Sequence, residues 1–224
     1  AAGTAAAARV AAPAVLPEEM LALQPYLLLA EKLGSLYAQA GGGGTHRVEV
    51  EMSGQLSRYE PSYLTAEVIK GMLTPFTEDR INVVNARLQA QARGIEVVEK
   101  RSNVQGVYAD LLTLRVAGSG PDFVVAGTVT PQGARLVRLG DFRIDIEPAG
   151  RFLLTYHDDR PGIIGSVGMA LGRTNVNIAA LQLGRDAPRG RAVMIVAVDD
   201  EVSESVRDEL ARIEGMSEIR YVKL

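Results

Sequence analysis

The chain has 224 residues, 47% hydrophobic and 23% charged, with a net charge of −3 and neither cysteine nor tryptophan. That composition is globular and long enough for one large or two small cores. It excludes a disulfide framework or thiolate metal site, shows no basic stripe for nucleic acid, contains no apolar run of the ~20 residues that a membrane span needs, and fits a cytoplasmic protein.

The opening "AAGTAAAARVAAPAV" has no initiator Met and no basic head or long apolar centre of a signal peptide. Residues 1–16 are therefore expected to be a disordered or truncated tail. "PEEMLALQPYLLLAEKLGSLYAQA" (residues 17–40) predicts a helix, with Pro17 suited to the first turn and Glu18 and Glu19 at the positive end of its dipole. Tyr26, Leu29, Leu33 and Leu36 form its apolar stripe. Pro25 is expected to break or restart it. Gly41–Gly44 reads as a flexible joint.

Residues 45–148 are expected to form an α+β domain. "HRVEVEMSG" alternates as a half-buried strand. "PSYLTAEVIKGML" and "EDRINVVNARLQAQARG" predict two helices, the second striped by Ile81, Val84 and Leu88 and stopped by Gly94. "IEVVEKR", "VYADLLTLRV", "DFVVAGTV", "ARLVRL" and "FRIDI" are short strand-like runs that suggest an antiparallel meander. After "EPAG", residues 151–224 run strand, helix, strand, strand, helix, strand. Ile164, Val167 and Leu171 stripe the first of these helices and Val206, Leu210 and Ile213 the second. That βαββαβ order is the ferredoxin-like plan, with both helices on one face of an antiparallel sheet. The fold class is thus α+β, in two domains.

The sequence holds no G-x-G-x-x-G after a strand, no phosphate loop and no G-x-S-x-G elbow. Its two histidines, His46 and His157, have no companion at metal-ligand spacing, so no metal site is expected. The chemistry gathers instead in "YHDDRPGIIGSVGMALGRTNVNIAALQLGR", Tyr156 to Arg185. The first helical amides, at Gly162, Ile163 and Ile164, are expected donors for a carboxylate, and Gly162 lets a ligand approach the backbone. Asp159 and Asn177 suit an α-ammonium group, if the strand that Asn177 opens runs close to the mouth of the first strand–helix turn. His157 suits a side-chain hydroxyl. Together they describe a site for a free, small amino acid such as serine. A plainer account stays open, in which Asp159 caps the helix, Asn177 satisfies turn amides and His157 sits in a solvated loop.

"HDDRPGIIG…NVNIAALQLGR" resembles the His-x-Asn/Asp-Arg-Pro-Gly…Val-Asn-Ile signature of ACT domains at the C-terminus of D-3-phosphoglycerate dehydrogenases. "LQPYLLLAEKLGSLYAQ" is similar to the helix by which that family's chain leaves its catalytic region, and "EVIKGMLTPFTEDRINVVNARLQAQARGIEVVE" and "GDFRIDIEPAG" resemble its intervening domain. The resemblance implies a parent enzyme that uses NAD to oxidise 3-phosphoglycerate, opening serine biosynthesis. It also implies ACT domains paired in a homodimer or homotetramer, with L-serine bound between them as feedback inhibitor. It carries serine contacts onto His157, Asp159 and Asn177, with Asp159 standing where several relatives have Asn. The family's nucleotide-binding domain and catalytic Arg, Glu and His have no counterpart here, so this chain is expected to bind no NAD and to be inactive alone. For the intervening domain the resemblance suggests an anion site, with Lys100, Arg101, Arg135, Arg138 and Arg143 as the available cations. Two other readings stay open: a stand-alone amino-acid-sensing ACT protein, and the β subunit of L-serine dehydratase, whose Ser-Ser-Ser-His run is absent here.

Overall fold

The computed structural model describes residues 17–104 and 106–224; the expectation of a disordered or truncated tail at 1–16 lies outside them. The first helix, α1 (Pro17–Ala40), runs unbroken through Pro25. The expected break does not occur. Pro25 lies on the exposed face, where its ring meets solvent, while Leu23, Tyr26, Leu29, Leu33 and Leu36 on the opposite face are buried. Packing of that stripe offsets the one helical hydrogen bond that proline removes.

Alternation in β1 (Arg47–Gly54) buries Val48, Val50 and Met52. A helical crossover of α2 (Pro61–Leu73) and α3 (Ala86–Ala92) returns the chain to β2 (Glu96–Ser102), parallel to β1. β3 (Asp110–Ala117), β4 (Phe123–Thr130), β5 (Gly133–Leu139) and β6 (Phe142–Ile146) then form the expected antiparallel meander, in a sheet of order β2-β1-β3-β4-β5-β6. The stripe expected on the second crossover helix is corrected. Ile81 is buried, but Val84 and Leu88 are exposed, and Ala86 and Ala90 face the core. The helix starts late because Asn82 and Asn85 tie off its approach: the Asn82 side chain accepts from the Val84 and Asn85 amides, and the Asn85 side chain accepts from the Asn82 amide.

Two glycines let α1 and α2 cross at backbone contact. A Cβ on Gly34 would lie 2.1 Å from the Val68 carbonyl oxygen, and one on Gly71 2.1 Å from that of Glu31. Lys70 of α2 closes the same crossing by pairing with Glu31 of α1 at 3.0 Å. Gly41–Gly44 follows directly, and its flanks, α1 and β1, belong to one hydrophobic core.

The second sheet has order β10-β7-β9-β8. It comprises β7 (Arg151–Asp158), β8 (Ile178–Arg185), β9 (Arg191–Val198) and β10 (Met216–Lys223), with α4 (Ile163–Arg173) and α5 (Glu204–Ala211) on one face. This is the expected ferredoxin-like plan. Ile163, not Ile164, is the buried residue of the first turn of α4; Ile164 is exposed because α4 begins one residue later than its glycine suggests. The other face of this sheet is also buried. Phe152, Leu154, Val193, Ile195 and Val222 join Leu136, Leu139, Phe142, Ile144 and Ile146 of the first sheet in a single core that includes α1. Tyr156 lies in this contact beside Phe142, and burial, with Glu218 nearby, pushes its phenol up to about 12. Gln39 of α1 clamps the β10 edge, donating to the Lys223 carbonyl at 2.9 Å and accepting from its amide at 2.8 Å. β8 is the other edge of this sheet, and among the described hydrogen bonds none ties its outer side in this way.

Because the α1–α2 crossing leaves no room for a methyl group, Gly34→Ala is expected to lower stability by roughly 1–3 kcal/mol, the usual cost of overpacking. Thermal unfolding checks this; an exposed control, Gly94→Ala, isolates the strain of a left-handed φ of 72° without a steric clash.

Candidate functional site

His157 is the penultimate residue of β7, on the face that α4 and α5 cover, and is 4% exposed. Its Nδ1 lies 3.5 Å from the Thr155 hydroxyl. Burial holds its pKa below the usual histidine value, against the opposing pull of Asp159 and Asp158. The ring is therefore neutral at physiological pH and can both donate and accept.

Beyond β7 the chain turns through Asp158–Gly162 into α4. Gly162 has φ 95°, a left-handed value that explains the glycine, and a Cβ there would meet nothing within 4 Å. The first helical bond runs from the Ser166 amide to the Gly162 carbonyl at 2.8 Å, and the Ile163 amide makes a long contact to the Arg160 carbonyl at 3.5 Å, so the Ile163 and Ile164 amides precede the helical ladder. Asp159 does not cap α4, which has no side-chain cap. Its Oδ2 accepts from the Arg185 guanidinium at 3.1 Å and from the Arg189 amide at 3.0 Å, while its own amide donates to the Gly190 carbonyl at 2.8 Å. The Arg189 amide, with Arg185, holds its carboxyl below the usual carboxylate value. Asp158 and Glu214 share Arg160, at 3.1 and 2.9 Å. The turn is thus latched to the β8–β9 connection on one side and to β10's approach on the other.

Asn177 is elsewhere. In register, Ile178 pairs with Val198 and Val198 with Arg151, whereas Arg185 pairs with Ala192 and Ala192 with His157. Asn177 thus lies at the opposite end of the sheet from His157 and Asp159, about 20 Å away at the strand rise. The strand that it opens does not start near the mouth of the β7–α4 turn. Its side chain donates to Asp199 at 2.6 Å and its amide to Asp200 at 3.0 Å. Within one chain the structure brings together His157, Asp159, Gly162, Ile163 and Ile164, and leaves Asn177 apart. The reading of the residues missed Arg185, Arg189, Asp199 and Asp200. Arg185 sat at the end of the quoted stretch, but nothing local tells that its partner lies 26 positions earlier; the Arg189 contact is through backbone and leaves no mark in composition.

The cations of the first domain fall into two groups, with Arg143 directly opposite Arg138 across β5 and β6. Lys100 and Arg101 pair with Glu49 and Glu60 at the β2 side, while Arg135 and Arg138 pair with Asp145 and Asp141 on β5 and β6. Among the described residues no cluster of three His, Asp or Glu suited to a metal is present, and no helix is long and apolar enough to cross a membrane.

Burying a neutral His157 has a thermodynamic consequence. The unfolded chain binds its proton near pH ~6.5, the folded chain at lower pH, so stability is full above the unfolded value and falls as pH drops below it. The melting temperature is expected to decline between pH 7.5 and pH 5.5, and His157→Gln to flatten that slope. Thermal scans across this range check it; Asp159, depressed below its already acidic value, stays ionised throughout.

Residues 22–140 match the family model of the D-3-phosphoglycerate dehydrogenase intervening domain, and residues 151–215 match that of the ACT domain. Among similar proteins, D-3-phosphoglycerate dehydrogenase of Synechocystis is 37% identical over 99% of this chain and 40% of its own length. The enzymes of that name from Archaeoglobus fulgidus and Bacillus subtilis are each 32% identical, over 95% of this chain and 41% of their own. The chain spans about 40% of the length of these curated relatives.

Proposed function

Because the chain belongs to the D-3-phosphoglycerate dehydrogenase family, we propose that it serves as that enzyme's regulatory and oligomerisation region, binding L-serine between paired ACT domains for feedback inhibition. The parent reaction, NAD-dependent oxidation of 3-phosphoglycerate, is assigned to a catalytic part outside this sequence. No strand–glycine-loop fingerprint for a dinucleotide is present among these residues.

The observation that carries the reading is the splitting of the site between the two ends of β8. β10, one edge of its sheet, is clamped by Gln39, whereas β8 is the other edge and carries no such clamp among the described hydrogen bonds. An open edge favours pairing with another strand. Two copies of β8 laid antiparallel, with the dyad between Leu181 and Gln182, set Asn177 of one copy opposite Asp186 of the other. That is next to Arg185 and Asp159. Residues that one chain holds about 20 Å apart then share one site, and they do so twice per dimer. The exposed Ile164 and Met169 of α4 supply apolar surface beside such a contact.

In this arrangement the serine carboxylate faces the Ile163 and Ile164 amides at the positive end of α4. The ammonium faces Asp159 and the second copy's Asn177, and the hydroxyl faces His157. Serine held between two copies favours the arrangement of subunits that permits both contacts. It can inhibit only through its differential affinity for two arrangements, typically about 1–3 kcal/mol of coupling.

Calorimetric titration with L-serine tests this. The chain is expected to bind serine as a dimer or larger species, with Asp159→Ala and Asn177→Ala each losing the heat. Mixing the two silent variants rebuilds one intact site in every mixed dimer, about a quarter of all sites under random exchange. If the mixture stays silent while wild type binds, the site does not span two chains; if wild type gives no heat, the amino-acid reading fails.

A further inference from the structure

The Asp159–Arg185 pair carries charge of both signs at the mouth of the β7–α4 turn, and both groups have capacity left over. Asp159 uses only Oδ2 for its two contacts, and no described contact engages Oδ1. Arg185 donates through Nη1 alone, with its side chain 54% exposed, so its remaining N–H donors are open to solvent. The pair is held from behind. The Arg189 amide fixes the carboxylate, and the Asp159 amide is bound to the Gly190 carbonyl, so Asp159 is set by two adjacent backbone groups of the β8–β9 connection.

An α-amino acid carries its ammonium and carboxylate on one carbon, at a separation close to that of this ion pair. Laid antiparallel beside it, the zwitterion puts the ammonium on Oδ1 of Asp159 and one carboxylate oxygen on the free donors of Arg185. Four alternating charges then close a ring, and the second carboxylate oxygen still faces the α4 amides. Guanidinium suits this role because its planar fork can serve two acceptors at once without giving up the first.

We propose that Arg185 is a specificity-determining residue of the effector site, receiving the α-carboxylate while Asp159 receives the α-ammonium, so that the site reads both groups of an amino acid together. This rests on the amino-acid reading given above and adds to it a residue and a selection rule. Amines without the carboxylate and acids without the amine each complete only half of the ring.

The test is calorimetric titration of the full 224-residue chain, wild type, Arg185→Gln and Arg185→Ala, with L-serine and with ethanolamine, which lacks the carboxylate. Circular dichroism and size exclusion confirm that each variant is folded and associated. Wild type is expected to prefer serine over ethanolamine by about tenfold or more, the scale of one charge-assisted hydrogen bond. Both variants are expected to lose about that factor for serine and little for ethanolamine, so the preference collapses. A residue acting only in folding would weaken both ligands alike. Serine affinity that is unchanged or tighter in Arg185→Gln overturns the proposal, because Arg185 is then a bystander or a competitor of the ammonium. No serine heat from wild type sinks the amino-acid reading itself, a different result from wild-type binding that ignores the substitution.

Discussion

The rest of the molecule depends on one constraint: the sheet of the second domain is buried on both faces. In an isolated ferredoxin-like domain two helices cover one face and the other is left open. Here Leu153, Met194 and Val196 pack under α4 and α5, while their neighbours Phe152, Leu154, Val193 and Ile195 enter the core of the first sheet. Fully burying side chains of this size removes about 1.5–3 kcal/mol each from water, so the two domains are joined by core packing as well as by a linker. One close approach involves the backbone of both domains. A Cβ on Gly184 of β8 would lie 2.8 Å from the Arg143 carbonyl oxygen of β6, so the strand at the open edge rests directly on the first domain.

That arrangement decides where the molecule can respond. With both faces of the sheet occupied and the β10 edge clamped by Gln39, β8 is the edge that the proposed pairing uses. β8 also carries Arg185 at one end and follows Asn177 at the other. Gly184 packs against β6, and β6 belongs to the core that includes α1. Interdigitated cores are not continuously deformable, so under the proposed edge pairing a ligand that favours it would act on α1 through this packing. Gly41–Gly44, which reads as a hinge in composition, is a turn between two parts of that same core.

Much of this was legible in the amino-acid order. Strand alternation placed β1, and the near-continuous apolar runs "RFLLTY" and "RAVMIVAV" had the character of strands buried on both faces. The βαββαβ order named the second fold. What failed did so for local reasons with tertiary causes. Pro25 stays in a helix because its ring faces solvent and the opposite face is anchored. The Ile81–Val84–Leu88 stripe fails because two asparagines delay the helix. Ile164 gave way to Ile163 because the left-handed Gly162 belongs to the turn and not to α4.

The candidate site was legible as a set of residues but not as a place. His157, Asp159 and Asn177 lie within 21 positions of sequence, and proximity in sequence suggested proximity in space. A helix that lies antiparallel to the strands on both of its sides returns the chain to the starting end of β7, so the residue opening β8 must lie at the far end of the sheet. The topology alone thus separates Asn177 from the β7–α4 turn, and in the proposed dimer the two-fold along β8 is what rejoins them. The same geometry accounts for Arg185 going unread. An eight-residue β8 that starts at the far end finishes beside His157, so the residue meeting Asp159 is the last of the strand and not the first.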